Sequence, residues 1–313
     1  MKVLFITSTR IGDAILSTSV LHYIKNKFPY SSLYIATGKT PASLFKNFGN
    51  IKKIFILKKK KFKIHWLELW WQTFFNKWDI IIDLRGSLIS YLLFNEQKYI
   101  YKSIKENIHR LDELALLMRT KYLPLPSIPI LKKDTKKISK DFLKLKNPIA
   151  IGASANWPAK IWPAKKFVKL IKILLKEKKF GKEKFIVFFG SSKDLKNIKK
   201  ITKHLKKSRV INFCGKLNLI EVIAHLKKCK IFIGNDSGLM HIASVSGIPT
   251  LGLFGPSLES RYAPKGNNAH YIRTKKTFRQ LTGAKNFDWN TEKNLMNSLS
   301  VNSVFKKIKE ILG

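Results

Sequence analysis

Short apolar runs alternate with helix-length, lysine-studded segments along almost all of this 313-residue chain, and that alternation leaves few folds open. Runs at 3–7, 33–37, 51–57, 78–84 and 98–101 read as strands, and a helix opens at Gly12-Asp13 and stops at Pro29. A Pro-rich segment at 123–129 breaks the rhythm, and a helix is expected over 135–145. Strands at 149–152, 185–189, 210–212, 231–233 and 250–254 then alternate with helices at 165–176, 195–205, 219–226 and 239–245, and a last helix covers 301–312. Such alternation predicts an α/β chain of two Rossmann-like, doubly wound parallel-sheet domains with a cleft between them. The expected boundaries are 1–147, 148–300 and a C-terminal helix at 301–313.

The stretch richest in chemical meaning is Gly234-Asn235-Asp236-Ser237-Gly238-Leu239-Met240-His241, followed by Gly247-Ile248-Pro249 and Phe254-Gly255-Pro256. A strand that runs into a small polar turn and then a helix gathers backbone N–H groups beside a partial positive charge. That is the pattern of an anion site, and it points to a phosphate such as a nucleotide's. Open α/β sheets bind ligands at the C-terminal ends of their strands. Two further loops fall there, 153–163 with Lys160 and 190–194 with Asp194. In such a site Lys160 neutralises phosphate charge, Asp194 binds ribose hydroxyls, and the amides of Asp236–Gly238 hold a pyrophosphate. Neither G-x-G-x-x-G nor G-x-x-x-x-G-K-[ST] occurs, so the dinucleotide fingerprint and the P-loop are both excluded. No D-x-D triplet occurs, so neither a metal-held diphosphate nor a cofactor is expected.

The net charge of +42 tempts a nucleic-acid reading, but of 61 basic residues only eight are Arg and 53 are Lys. The Lys are spread over nearly every expected helix, whereas nucleic-acid binders concentrate basic residues and use Arg forks. Solvated lysine faces are therefore the main expectation, with no nucleic-acid partner. Such a surface is still attracted to anionic membrane or glycolipid. Cys214 and Cys229 supply neither a disulfide framework nor metal spacing. The short apolar start is unlike a signal peptide and no run nears the ~20 residues of a membrane span, so a cytoplasmic protein is expected.

Together these motifs resemble glycosyltransferase family nine, the ADP-heptose:lipopolysaccharide heptosyltransferases. The resemblance takes in Thr9-Arg10-Ile11-Gly12-Asp13, residues 78–86, Trp157-Pro158-Ala159-Lys160-Ile161-Trp162-Pro163 and the 234–256 stretch, in order along nearly the whole chain. It implies a GT-B fold, with acceptor on the N-terminal domain and nucleotide sugar on the C-terminal one. The implied reaction is inverting, metal-independent transfer of heptose from ADP-heptose to a lipid-linked inner-core saccharide. The implied location is the cytoplasmic face of the inner membrane, on an anionic surface. By the resemblance Asp13 is the general base and Lys160 contacts donor phosphate. Asp236, Ser237, Gly238 and His241 form the donor-binding turn and helix, Asp194 binds ribose, and Leu217 packs near the base. Arg10, Gly12, Asp83 and Arg85 are the acceptor-side candidates. Ala155 and Asn156 depart from the hydroxyl or acidic groups common among relatives, and 275–293 lacks the cysteines some carry.

Plainer readings stand beside these. Asp13 also suits an N-cap, and Asp194 a cap on the helix at 195–205. His241 also suits a neutral structural histidine. Asp83 and Arg85 either line an acceptor site or pair with each other. The aromatics at 66, 70, 74 and 78 share a helical face that 71 and 75 widen, beside the basic run 58–63. That helix either packs on the sheet or lies at a membrane interface. Two other functions remain open on the residues alone: transfer of a different sugar from another nucleoside diphosphate, and a non-catalytic basic protein that holds nucleic acid or membrane.

Overall fold

Strands buried on both faces need helices above and below, and the near-continuous apolar runs of this chain meet that need twice. In the computed structural model, which describes residues 1–58, 60–103, 107–181 and 183–313, the chain divides into two units, Met1–Pro129 and Ile130–Gly313. Lys59, in the basic run, lies outside the described residues.

The first unit runs β1 (Lys2–Ile6), α1 (Ile11–Lys27), β2 (Ser32–Gly38), α2 (Ala42–Phe45), β3 (Ile51–Leu57), α3 (Ile64–Phe74), β4 (Trp78–Asp83), β5 (Asn95–Ile100) and α4 (Arg110–Leu117). Its five strands lie in the order β3-β2-β1-β4-β5, all parallel. Val3, Leu4, Phe5 and Ile6 of the central strand are fully buried, as expected for a parallel sheet covered on both faces.

The second unit runs α5 (Lys132–Thr135), α6 (Lys140–Leu143), β6 (Pro148–Gly152), α7 (Ala164–Lys176), β7 (Phe185–Phe188), α8 (Leu195–Thr202), β8 (Val210–Asn212), α9 (Leu219–Leu226), β9 (Ile231–Asn235), α10 (Gly238–Val245), β10 (Thr250–Phe254), α11 (Glu259–Tyr262), β11 (Ala269–Arg273), α12 (Phe278–Thr282) and α13 (Val301–Leu312). Its six strands are also all parallel, in the order β11-β10-β9-β6-β7-β8. Phe167, Leu170, Ile171 and Leu174 of α7 are buried at i, i+3, i+4, i+7 spacing, while Lys165, Lys169, Lys172 and Lys176 face water. That pattern matches the solvated lysine faces expected from the charge. Two glycines make room inside this sheet. A Cβ at Gly152 or Gly234 would come within 2.5 and 2.6 Å of the Phe232 ring, so that ring fits only because both neighbours lack side chains.

Residues 130–147, grouped by sequence with the first domain, pack with the second unit. α5 lies on α9, Lys137 pairs with Glu221 at 3.4 Å, and the Phe142 ring sits 4.9 Å from His225 and 5.5 Å from Phe213. The single helix expected over 135–145 is two short ones. The Ser139 hydroxyl accepts the Phe142 N–H at 3.2 Å and begins α6 afresh. Trp78, counted both in the strand run 78–84 and on the aromatic helix face, begins β4, so the strand reading of it holds and the helix ends at Phe74.

Candidate active site

In each sheet the strand order reverses once beside the first strand laid down, between β1 and β4 in the first unit and between β6 and β9 in the second. The loops that leave two such strands diverge and open a crevice at their C-terminal ends. In the second unit those loops carry Lys160 and Asp236.

The geometry there is specific. Lys160 ends the 3-10 turn Pro158–Lys160, and its Nζ donates to Asp236 Oδ2 at 2.6 Å. The two side chains are only 20% and 7% exposed, so the ion pair is largely out of water. Asn235 Oδ1 accepts the Trp162 N–H at 2.9 Å and ties the same loop to the end of β9. On its other side the loop is strapped by the segment before α13. Trp157 Nε1 donates to the Thr291 carbonyl at 2.9 Å, the Leu295 N–H to Ala159 at 3.2 Å, and Asn294 Nδ2 to Ile161 at 2.7 Å. Lys160 is thus fixed at the crevice by partners that lie 73 or more residues away in sequence.

Ser237 is the N-cap of α10 by position, in extended conformation (φ −159°), yet its side chain makes no cap bond. Its Oγ and Asn235 Nδ2 are buried polar atoms with no hydrogen-bond partner. Buried groups of this kind cost roughly 1–3 kcal/mol each when unpaired, and these two belong to the residues on either side of Asp236, just before the N-terminus of α10. Gly238 follows as the first helical residue, and His241, 5% exposed, lies one turn in.

The neighbouring strands bring the remaining donor-side candidates to the same end of the sheet. Asp194 follows β7, and its Oδ2 accepts both the Ser191 N–H at 2.7 Å and the Ser191 hydroxyl at 2.8 Å. It stands at the N-cap position of α8 without a side-chain bond to that helix, but it closes a capping box with Ser191 over the 3-10 turn Ser192–Asp194 that leads into α8, so its carboxylate does cap this helical segment. Leu217 is half-buried in the loop after β8, just before Asn218, which caps α9. Burial, with Asp194 close by, pushes the Cys214 thiol up to about 12. It stays protonated near neutrality, and no nucleophilic role follows. Ala155 is half-buried and Asn156 exposed in the loop after β6.

In the first unit Asp13 is the third residue of α1, and Arg10 is the N-cap, without a side-chain cap bond. Asp13 is therefore not the cap. A first-turn carboxylate is well placed against the helix dipole, and the Ser8 hydroxyl, which accepts the Arg10 N–H at 3.0 Å, lies 3.4 Å from Asp13 Oδ2. Gly12 precedes Asp13 on the same turn. Arg85 is exposed, with its guanidinium 3.5 Å from the Thr9 hydroxyl and 5.9 Å from the Trp66 ring centre.

Asp83 departs from the acceptor-side expectation. It is fully buried at the end of β4. Its carboxylate accepts the Arg85 N–H at 2.8 Å, the Ser87 N–H at 2.7 Å, the Ser87 hydroxyl at 2.5 Å and the Ser90 hydroxyl at 2.7 Å. All of its bonds come from its own following loop, and none from the Arg85 guanidinium. It holds the loop in shape from beneath.

Among the described residues, no group of three or more His, Cys, Asp and Glu side chains is arranged to hold a metal, and no helix is long and apolar enough to cross a membrane. Sequence reading passed over Asn235 and Asn294 as site residues. Their work is long-range tethering, which leaves no periodic or local signal.

Two parallel α/β units, each with a strand switch in its sheet, give the GT-B architecture of a class of glycosyltransferases. The chain belongs to glycosyltransferase family 9 (heptosyltransferase), whose model matches residues 109–286. A similar curated protein is lipooligosaccharide heptosyltransferase 2 of Campylobacter jejuni, 28% identical over 288 residues that cover 85% of each chain. Among solved structures, the family 9 glycosyl transferase of Veillonella parvula matches with TM-score 0.80 and 20% identity over 99% of this chain and 97% of that one. The E. coli ADP-heptose LPS heptosyltransferase II matches with TM-score 0.77 and 19% identity, covering 100% and 98%. The protein is therefore an enzyme of the lipopolysaccharide-core heptosyltransferase family.

Proposed function

We propose that the protein transfers heptose from ADP-heptose to a hydroxyl of a lipid-linked inner-core saccharide, with inversion and without a metal. The observation that carries this reading is the β6–β9 crevice. There a nearly dry Lys160 and the N-terminus of α10 supply positive charge beside the unpaired Ser237 hydroxyl and Asn235 amide. A departing nucleoside diphosphate needs that combination, since its charge grows as the glycosidic bond breaks. Asp194 has its hydrogen bonds concentrated on one carboxylate oxygen, which suits the other to ribose hydroxyls. Leu217 offers apolar surface to the base, and Asp236 sets the direction of Lys160. His241 completes the donor side.

Asp13 is the proposed general base. It takes the proton of the acceptor hydroxyl as that oxygen bonds to the anomeric carbon and the carbon–oxygen bond to the diphosphate breaks. Arg10, Gly12 and Arg85 belong to the acceptor side in this reading, whereas Asp83 acts only by shaping the loop. The donor named for one structural relative, ADP-heptose, supports the choice of nucleotide sugar. The enzyme would work on the cytoplasmic face of a membrane that carries the acceptor.

The test is turnover with a panel of nucleotide sugars on inner-core acceptors, read by mass spectrometry, for the wild type and Asp13→Ala. We expect heptosyl product from ADP-heptose, and a loss in the variant of about 10²–10⁴-fold with ADP affinity by calorimetry unchanged. Near-full turnover by Asp13→Ala would remove the base assignment, and product from a different nucleotide sugar alone would remove the donor.

A further inference from the structure

The aromatic segment between β3 and β4 has two apolar faces, and only one of them is used by the core. Trp66, Trp70 and Phe74 of α3 pack inward against a cluster that includes Leu69, Trp78 and Leu93. The stripe Leu67, Trp71 and Phe75, spaced four residues apart, points the other way and is 64%, 64% and 76% exposed. The surface does not end with the helix. Phe74 bridges to Phe75 at 5.3 Å and to Phe94 at 5.8 Å between ring centres, and α3 packs against the 3-10 turn Leu88–Tyr91. There Leu88, Leu92 and Phe94 are 79%, 63% and 66% exposed. Six large apolar side chains on adjoining elements of one unit exceed the scattered exposure ordinary on soluble proteins.

Charge at its border selects the occupant. Lys61, Lys63 and Lys77 are exposed beside the stripe, and the acid on α3, Glu68, is paired with Lys60. A second copy of a chain with net charge +42 would bring like charge against like. An anionic lipid surface offers the opposite: apolar depth for Trp, Phe and Leu, and negative headgroups for the lysines. We propose that the outward face of α3 with the loop after β4 is a membrane-docking surface that sits in the headgroup region of an anionic bilayer. It stands on the first unit alone and does not depend on the donor or acceptor assigned above.

The experiment is co-sedimentation of the full chain with vesicles of phosphatidylcholine, with and without phosphatidylglycerol, at low and high salt. The wild type should bind the mixed vesicles at low salt and weaken in high salt, as the lysine contribution is screened. The double variant Trp71→Ser/Phe75→Ser keeps every charge and should lose at least ~10-fold in partitioning into the mixed vesicles, since it removes two large apolar side chains from the docking face. Tyr30→Ser, a change at an exposed aromatic in the turn after α1, should bind as the wild type does. All three proteins should share one unfolding midpoint, because the substituted side chains are exposed. Undiminished partitioning of the double variant, or no wild-type binding to mixed vesicles at low salt, overturns the proposal. So does light scattering that shows a wild-type dimer lost in the double variant while vesicle binding persists, which would assign the face to a second copy.

Discussion

Each unit carries an aspartate at the C-terminal end of the strand across the switch from its first strand, Asp83 as the last residue of β4 and Asp236 as the residue that follows β9, and the two are treated in opposite ways. Asp83 at the end of β4 is enclosed by four hydrogen bonds from its own following loop, all within seven residues. Asp236 after β9 is bound to Lys160, 76 residues away, and is flanked by two buried polar atoms that find no partner. One turn is complete as it stands. The other is assembled from distant parts and left short of hydrogen bonds. Completeness is what a structural carboxylate needs, and incompleteness at a charged crevice is what a ligand can fill.

The largest effect should come from breaking the complete turn. Asp83→Ala leaves two backbone N–H groups and two hydroxyls without their shared acceptor in a fully buried place. Each stranded group costs about 1–3 kcal/mol, so the variant should lose on the order of 3 kcal/mol or more in equilibrium urea unfolding. A loss under about 1 kcal/mol would show that the loop relaxes to water, and the contrast between the two turns would fall.

Next in size is the incomplete turn's cation. Lys160→Met keeps the length of the side chain but removes the charge. ADP affinity by calorimetry should fall about 10–100-fold, the value of one hydrogen bond to a charged group. The free protein should also become less stable, because Asp236, 7% exposed at its side chain, is left without its counter-charge. Unchanged ADP affinity would take Lys160 out of the donor site and leave the pair as purely structural.

Why one turn was readable and the other was not follows from these same residues. The small polar turn between β9 and α10 is a local pattern: strand, Asn-Asp-Ser-Gly, helix. The restarting alternation was equally visible, and the strands 51–57, 210–212 and 250–254 fall where the apolar runs end. The role of Asp83 was hidden because an acid beside an Arg at a strand end reads as an exposed pair. Its real partners are Ser87 and Ser90, which only the folded loop turns back toward it. β11 escaped notice because Ala-His-Tyr-Ile-Arg at a sheet edge is neither a continuous apolar run nor a clean alternation. α4 escaped because its start is capped by a histidine ring, with His109 Nδ1 accepting the Leu111 N–H at 3.1 Å, and not by a residue that usually signals a helix N-terminus. The inward and outward faces of α3 could not be separated either, since aromatics occupy both.

The smallest effects give the sharpest contrast, because a serine hydroxyl is removed from each turn. Ser87→Ala deletes a hydroxyl that donates to Asp83 at 2.5 Å, and should cost about 1.5–3 kcal/mol of stability with no change in ADP affinity. Ser237→Ala deletes a hydroxyl that makes no bond. An N-cap serine ordinarily contributes about 1 kcal/mol, but this one caps nothing, so the usual loss should be absent. Removing a buried group that is desolvated without compensation should leave the unliganded protein as stable as before, or more stable by up to ~1 kcal/mol. The same change should weaken ADP binding several-fold, since the proposed function gives that hydroxyl to a ligand oxygen. The pair therefore predicts opposite outcomes from one chemical edit: stability falls without a binding effect at residue 87, and binding falls without a stability cost at residue 237. If Ser237→Ala destabilises the free protein as much as Ser87→Ala does, its hydroxyl already has a partner inside the fold, and the turn after β9 is as complete as the turn after β4.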